Sequence, residues 1–297
     1  DLHAPTFRHK KYDAYKAGRR PTPPELLSQF PVLKSWLTLA GYTCIECEGF
    51  EADDILGTLS LAAEKSGGKD TCVIATGDRD SLQLVSDSTR VLLTVTKMGR
   101  HEITDYTPEK LFEKYGLTPP EMIELKSLMG DSSDNIPGVA GIGEKTATDL
   151  ITKYHSIDYI YENLDSLEIK DGVRKKLAEG KQSAFDSRWL GTICRTAPID
   201  TELSHYTTRR RDENGLAALM TELEFFKLME KMNIHPSAVV STDEAAPVST
   251  LKVCDLDIGK VKNSVCLYAD ESGFAAVYGG CVSVCDDDAA KAILENA

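Results

Sequence analysis

"GDSSDNIPGVAGIGEKTA", residues 130–147, sets Asp131 and Asp134 three apart and ends in a glycine-rich turn ahead of Lys145 and Thr146. The turn nearly spells a phosphate-binding loop. Gly138 and Gly143 stand at the right separation, but Glu144 intervenes before Lys145-Thr146 and no strand pattern precedes it. Helical patterns flank it instead, 118–129 before and 144–155 after, so the stretch reads as a helix–hairpin–helix. Its glycines would let backbone N–H groups and a helix N-terminus approach a phosphate, with Lys145 adding charge. A plain glycine link between packed helices has the same pattern. Carboxylates beside such a turn pose an electrostatic question, because they repel phosphate unless a cation stands between.

Toward the N-terminus, helix and strand patterns alternate. "LLSQFPVLKSWLTLAG" (26–41) has helical apolar spacing and stops at Gly41, and "YTCIECEG" (42–49) reads as a short strand. "EADDILGTLSLAAEKSGG" (51–68) is an amphipathic helix ending in two glycines. "DTCVIATGD" (70–78) is a buried-type strand with a turn at its end, and 89–106 is a strand, a turn at Gly99 and a second strand. This order predicts an α/β fold with a mainly parallel central sheet, whose ligands collect at the carboxyl ends of the strands. After residue 107 the pattern turns helical: 108–115, 118–129, 144–155, 171–179, 181–190 and 213–232. The domains expected are an α/β core at 1–110 with a basic arm at 5–25, a helix–hairpin–helix subdomain at 111–235 and a linker at 236–250. A second α/β domain is expected to start at 251–297, with a β-hairpin within 264–285 and a helix in "DDDAAKAILENA". The chain opens at Asp1 and stops inside that helical pattern, so it is expected to be a piece of a longer one.

Three acidic groups sit at element boundaries. Glu51, Asp53 and Asp54 open a helix; Asp78 and Asp80 follow a strand; Asp131 and Asp134 follow a helix. Each alone suits a helix cap or a solvated face. Together they suit Mg²⁺ or Mn²⁺ equally well, because hard oxygen ligands without His or Cys favour those ions. Two such ions about 4 Å apart can activate water and stabilise a leaving oxygen in phosphodiester hydrolysis, and they would screen the acids from phosphate.

The net charge of −13 argues against a general nucleic-acid coat, but its distribution is uneven. "FRHKKYDAYKAGRR" (7–20) carries six Lys and Arg against Asp13 alone, whereas 242–297 carries ten acids against four lysines. The basic run is either a solvated helix face or, with Phe7, Tyr12 and Tyr15 interleaved, a surface for single-stranded nucleic acid. Hydrophobic content of 41% with 27% charged residues is that of a soluble globular protein, and no apolar run nears the roughly 20 residues of a membrane span. Cys44-x-x-Cys47 lacks a second pair for zinc, and the eight cysteines are expected to be free thiols in a reducing cytosol. There is no G-x-S-x-G and no Ser-His-Asp spacing, and the six histidines do not pair.

In order, "APTFRHKKYDAYKAGR", "GFEADDILGTL", "TGDRDSLQLV" and "LMGDSSDNIPGVAGIGEKTA" resemble the flap endonuclease family, in the form of the 5′-nuclease domain that bacterial DNA polymerases carry. The resemblance spans about residues 1–235. It implies a PIN-like core and a metal-dependent, structure-specific 5′-3′ exonuclease and 5′-flap endonuclease of replication and repair. Two Mg²⁺ or Mn²⁺ ions are implied, bound by Asp1, Glu51, Asp53, Asp54, Asp78, Asp80, Asp131 and Asp134. Arg8 and Lys16 join Glu51 and Asp53 as catalytic, and Arg8, Lys10, Lys16 and Arg19 grip the 5′ strand from a helical arch. Gly138, Gly141, Gly143, Lys145 and Thr146 hold the duplex, with a K⁺ ion at the hairpin. Implied partners are DNA with a 5′ flap or nick, RNA primers and a covalently linked polymerase, in the bacterial cytoplasm at the nucleoid. The family opens with a strand ending in a metal-binding aspartate, and this chain begins after it, so its own activity is in question. "LYADES" (267–272) does not reproduce the D-x-E of an active proofreading exonuclease, so the tail is expected to be catalytically silent. The rival readings are a non-catalytic junction-binding module and a toxin-like ribonuclease, which would usually lack both arm and hairpin.

Overall fold

The computed structural model describes residues 2, 4–97 and 99–235, and the backbone of 252–253, 266–270, 273–278 and 281–285. Asp1, the linker stretch 236–250 and the helical pattern after 285 lie outside the described residues. The chain divides into two units, Asp1–His235 and Pro236–Ala297.

In the first unit, three strands form a small sheet ordered β1 (Cys72–Thr76), β2 (Thr89–Lys97) and β3 (Arg100–Tyr106). β1 and β2 are parallel, with Ile74 opposite Val91, while β2 and β3 are antiparallel, with Leu93 opposite Thr104. The described sheet thus holds one junction of each kind. The turn at Gly99 (φ +75°) is too short for a crossover, so it can only return the chain antiparallel. Between β1 and β2 runs a 3₁₀ turn, Arg79–Leu84, whose Leu82 and Leu84 bury against Ile74, Val91, Leu93 and Tyr106.

One expected strand is absent. Residues 42–49 form no ladder: Tyr42 N–H returns to Leu37 O, Phe50 N–H to Cys47 O, and Tyr42 and Cys44 are exposed. A strand exists only by pairing, and among the described residues none runs beside this segment. Cys44 and Cys47 are free thiols there.

The helices mostly fall where the pattern puts them. α1 (Phe7–Lys11), α2 (Pro24–Leu27) and α3 (Gln29–Leu39) precede α4 (Ala52–Lys65), which packs on β1 and β2. The basic arm is therefore not one helix. After five residues it turns through Lys16 (φ +57°), and Gly18 and the prolines at 21, 23 and 24 keep it from resuming before α2. Next come α5 (Pro108–Tyr115) and α6 (Pro119–Met129), both opened by threonine caps and prolines. α7 (Glu144–Tyr154), α8 (Ile157–Glu162), α9 (Asp171–Glu179) and α10 (Lys181–Gly191) enclose a second core around Leu128, Ile142, Ile151, Ile160 and Leu177. α8 has no counterpart in the sequence reading; six residues are too few for a periodicity. The expected helix 213–232 is two, α11 (Glu213–Glu222) and α12 (Phe226–Lys231). Glu224 (φ +56°) breaks it, which lets Met220 and Met229 face one core with Leu216 and Ile234.

Among its described residues the second unit holds a four-stranded sheet ordered β4 (Lys252–Val253), β7 (Cys281–Cys285), β6 (Gly273–Tyr278) and β5 (Cys266–Asp270). β5–β6–β7 run as an antiparallel meander containing the expected hairpin, and β4 joins β7 in parallel.

Candidate active site

Three segments deliver acids to one wall of the first unit. Glu51 stands at the N-terminus of α4, where its N–H donates to Asp54 Oδ2 at 2.9 Å in the manner of a capping box. Asp78 caps the 3₁₀ turn after β1, accepting from Asp80 N–H at 2.9 Å. Asp131 and Asp134 sit in the turn after α6, closed by paired bonds between Asp131 and Ile136 at 2.8 Å each. That turn depends on two glycines. A Cβ on Gly138 would lie 2.3 Å from Gly130 N, and one on Gly130 would lie 2.6 Å from Ile136 O. Gly130 also takes φ +73°.

The acidic groups converge. Oxygens of Asp80, Asp131 and Asp134 all lie within 4.8 Å of one another. Asp53 touches Ser81 of the 3₁₀ turn at 3.4 Å. Burial, then the charges of Asp78, Asp80 and Glu51, push the Asp53 carboxyl up to about 6. Tyr15, 3% exposed, reaches Glu51 Oε2 at 3.2 Å and Asp134 Oδ2 at 3.4 Å, tying the α4 group to the α6 turn. Burial and those two carboxylates push its phenol well above the ordinary range.

Basic side chains meet these acids. Lys16 Nζ is 2.7 Å from Glu51 Oε1 and 4.0 Å from Asp134 Oδ2, and half-exposed Arg19 also pairs with Asp134. Lys126 of α6 bridges Asp80 and Asp131, the latter at 2.8 Å. Asp131 and Asp80 shift in opposite directions although they share that ammonium. Burial would raise Asp131, but hydrogen bonds from Lys126 and Ser133 outweigh it and hold the carboxyl down at about 2. For Asp80 burial dominates, with Asp78 and Asp131 adding to it against Lys126, so its carboxyl is raised.

Several of the expected site residues are engaged by other partners in this geometry. Asp54 is fully buried, and its two oxygens accept from Arg8 Nη1 and Nη2 (2.8 Å each), Glu51 N–H and Cys194 N–H (2.8 Å). No lone pair is left facing the wall for a metal. Arg8, 2% exposed, also donates to Leu190 O and Thr192 O, so its guanidinium locks α4 to the end of α10 and does not face a phosphate. Tyr15 is buried, and Phe7 packs on Phe50 and Trp189, so neither offers a free face to a base. Gly138 is buried, with its N–H on Ser187 Oγ at 2.9 Å. Gly141, Gly143 and Lys145 remain exposed at the start of α7, with Thr146 half-buried beside them, and Lys10 is exposed on α1. Asp1 is not among the described residues.

The donor set fits divalent ions: carboxylate oxygens only, from Glu51, Asp53, Asp78, Asp80, Asp131 and Asp134, close enough to repel one another. At the hairpin, where K⁺ was expected, three carbonyl oxygens each already accept one hydrogen bond from the protein. Gly138 O accepts from Ser183, Val139 O from Ile142 N–H, and Gly141 O from Lys176 Nζ at 3.0 Å.

Sequence reasoning missed Lys126 and the tie made by Tyr15. A signal existed for the first: Lys126 interrupts the apolar face of α6 between Leu125 and Leu128, where a lysine needs a buried partner.

Comparison with known proteins gives a consistent result. Residues 1–116 match the family described as "5'-3' exonuclease, N-terminal resolvase-like domain", and 117–214 match "5'-3' exonuclease, C-terminal SAM fold". DNA polymerase I of Bacillus caldotenax is 42% identical over 247 residues, which cover 83% of this chain and 27% of that protein. The chain thus spans about a quarter of the length of the curated relatives it matches. Among solved structures, T5 5'-exonuclease with bound divalent metal ions (zinc) is 20% identical with a TM-score of 0.53, covering 77% of this chain and 80% of that one. The catalytic core of Rad2 in complex with DNA substrate is 18% identical with a TM-score of 0.51, covering 78% and 77%. At those identities the likeness is one of fold.

Proposed function

Because the chain belongs to the 5′-3′ exonuclease family, we propose that it is the 5′-nuclease portion of a DNA polymerase I, a divalent-metal-dependent 5′-3′ exonuclease and 5′-flap endonuclease. The observation that carries the proposal is the convergence of acids from three separate segments beside Lys16 and Arg19. Its substrates would be DNA with a 5′ flap or nick and RNA primers, met at the nucleoid in the bacterial cytoplasm. Among the described residues no helix is long and apolar enough to cross a membrane. The domain division at 110 and 235, with a silent exonuclease-like domain from 251, belongs to the same reading.

Glu51 and Asp53 would hold one ion, and Asp78, Asp80, Asp131 and Asp134 a second, as Mg²⁺ or Mn²⁺. When bound, such ions supply the charge that activates water and stabilises the leaving oxygen. The chain's own groups do the rest. Tyr15 holds Glu51 and Asp134 at a fixed spacing, and Arg8 pins the α4 N-terminus through Asp54. Lys16 and Arg19 pair with Glu51 and Asp134, and a phosphodiester entering there would take over these ion pairs and be positioned by them. Gly141, Gly143 and Lys145 at the start of α7 would anchor the duplex through its phosphates, without reading bases.

The test is cleavage of an end-labelled 5′-flap duplex against Mg²⁺ and Mn²⁺, by this chain and by the full-length protein, with Asp80→Asn as control. Metal-dependent cutting near the junction, lost in Asp80→Asn with flap binding kept, is the expected outcome. Binding without cutting by the full-length wild type would instead make the chain a junction-recognition module.

A further inference from the structure

Lys126 occupies a place built for it. Its side chain is 8% exposed, and its stem lies along α10 where Gly191 has no side chain; a Cβ there would come 3.3 Å from Lys126 Cδ. Its ammonium sits between Asp80 Oδ2 and Asp131 Oδ2. The other Asp131 oxygen is already committed, accepting from Ser133 N–H and Oγ at 2.7 Å each. Asp131 therefore has one free oxygen to give, and Lys126 has it. A lysine this buried needs its carboxylates, and carboxylates this close need a positive charge.

We propose that Lys126 is an internal counterion of the Asp80–Asp131–Asp134 group, competing with a divalent ion for the same oxygens and thereby setting how tightly that group binds one. The proposal rests on the metal-dependent reading above. A divalent ion ligated by Asp131 takes the Oδ2 that Lys126 now holds, since Ser133 occupies the other oxygen, and the two cations repel strongly at contact distance across it. Binding therefore expels the ammonium. A cleft of about 950 Å³, lined by Lys126 together with Asp80, Asp131, Gln83 and Met122, gives it hydrated room to move into. The competition is reciprocal: whatever weakens the lysine's hold strengthens the ion's. Lys126 is a positioning residue here, acting on substrate only through the acids.

Two measurements on the 297-residue chain test this without using activity. The first leaves the protein unaltered: brief acetylation with limiting reagent, read by mass spectrometry, in EDTA and in saturating Mn²⁺. Lys126 should label several-fold faster with Mn²⁺, while Lys110 and Lys153, exposed and remote from the acids, label equally in both. The second compares Mn²⁺ binding by calorimetry in wild type and Lys126→Met. The variant should melt lower than wild type in EDTA and bind Mn²⁺ about tenfold tighter at one site. If Mn²⁺ binds to wild type but Lys126 labels no faster and the variant binds no tighter, the counterion proposal is overturned and the metal reading stands. If neither protein binds Mn²⁺, both fall.

Discussion

Asp53 and Asp54 are adjacent on one helix and live in opposite electrostatic worlds. Asp54 is fully buried yet satisfied, with a bidentate guanidinium and two backbone N–H groups on its oxygens. Asp53 is only half-buried, but its neighbours are Asp78, Asp80 and Glu51, and its carboxyl is pushed up to about 6. Burial alone therefore does not mark the chemical site; burial without enough cations does. The Arg8–Asp54 pair is architecture, joining α4 to the C-terminal end of α10. The wall holding Asp53 is where charge remains to be answered by metal and phosphate.

The comparison can be broken most sharply by neutralising each side. Asp53→Asn or Asp80→Asn should cost flap cleavage roughly 10²–10³-fold or more, as loss of a major electrostatic group does. Asp53→Asn should also leave the metal-free melting temperature unchanged or raise it, because it relieves repulsion, whereas Asp80→Asn takes a partner from buried Lys126 and should melt lower. A large melting loss in Asp53→Asn would show that this acid is structural after all.

Arg8→Met should behave in the reverse way. It strands a buried carboxylate, so denaturant unfolding should show a loss of about 3–5 kcal/mol. Lys16→Met leaves Glu51 its bond from the Tyr15 hydroxyl, so it should lose less stability, and its effect should appear in turnover. Equal stability losses for the two variants would erase the distinction between lock and wall.

The pH dependence separates the acids by sign. Asp53 titrates near 6 in the fold against 3.8 ordinarily, so between those values the folded chain holds the extra proton. Its contribution is full below about 4 and is lost as pH rises through 6, by at most about 3 kcal/mol in metal-free buffer. Asp131, held at about 2, contributes above its ordinary 3.8 and loses that as pH falls toward 2. Melting in EDTA should therefore improve from pH 7 to 5 and collapse below 4. In Asp53→Asn the improvement should disappear while the collapse stays.

The smallest effect is expected at the hairpin. Lys145→Ala, exposed at the start of α7, should weaken duplex binding without altering stability and lower the salt slope of binding by about 1. Gly138→Ala, by contrast, should destabilise the chain, because its Cβ would collide with the Gly130 backbone.

How much of this was legible in advance follows from where the information lies. Acids at helix and strand ends, helix limits at glycines and prolines, and the hairpin turn at Gly99 are local patterns, and they were readable. The pairing of Arg8 with Asp54 joins residues 46 apart, and Lys126 meets Asp80 across the same distance. Nothing local distinguishes an arm cation that will be buried from one that will face solvent. That is why Arg8 looked like a phosphate grip and Asp54 like a ligand. Residues 42–49 alternate as a strand does, but a ladder needs a neighbour that spacing cannot supply.

The most direct measurement is an anomalous difference map from crystals soaked in Mn²⁺. A peak is expected among Asp80, Asp131 and Asp134 and another beside Glu51 and Asp53, with none at Asp54 and Arg8 still in place. Density for an ion at Asp54, or a wall that takes up no ion in an ordered crystal, would contradict this reading.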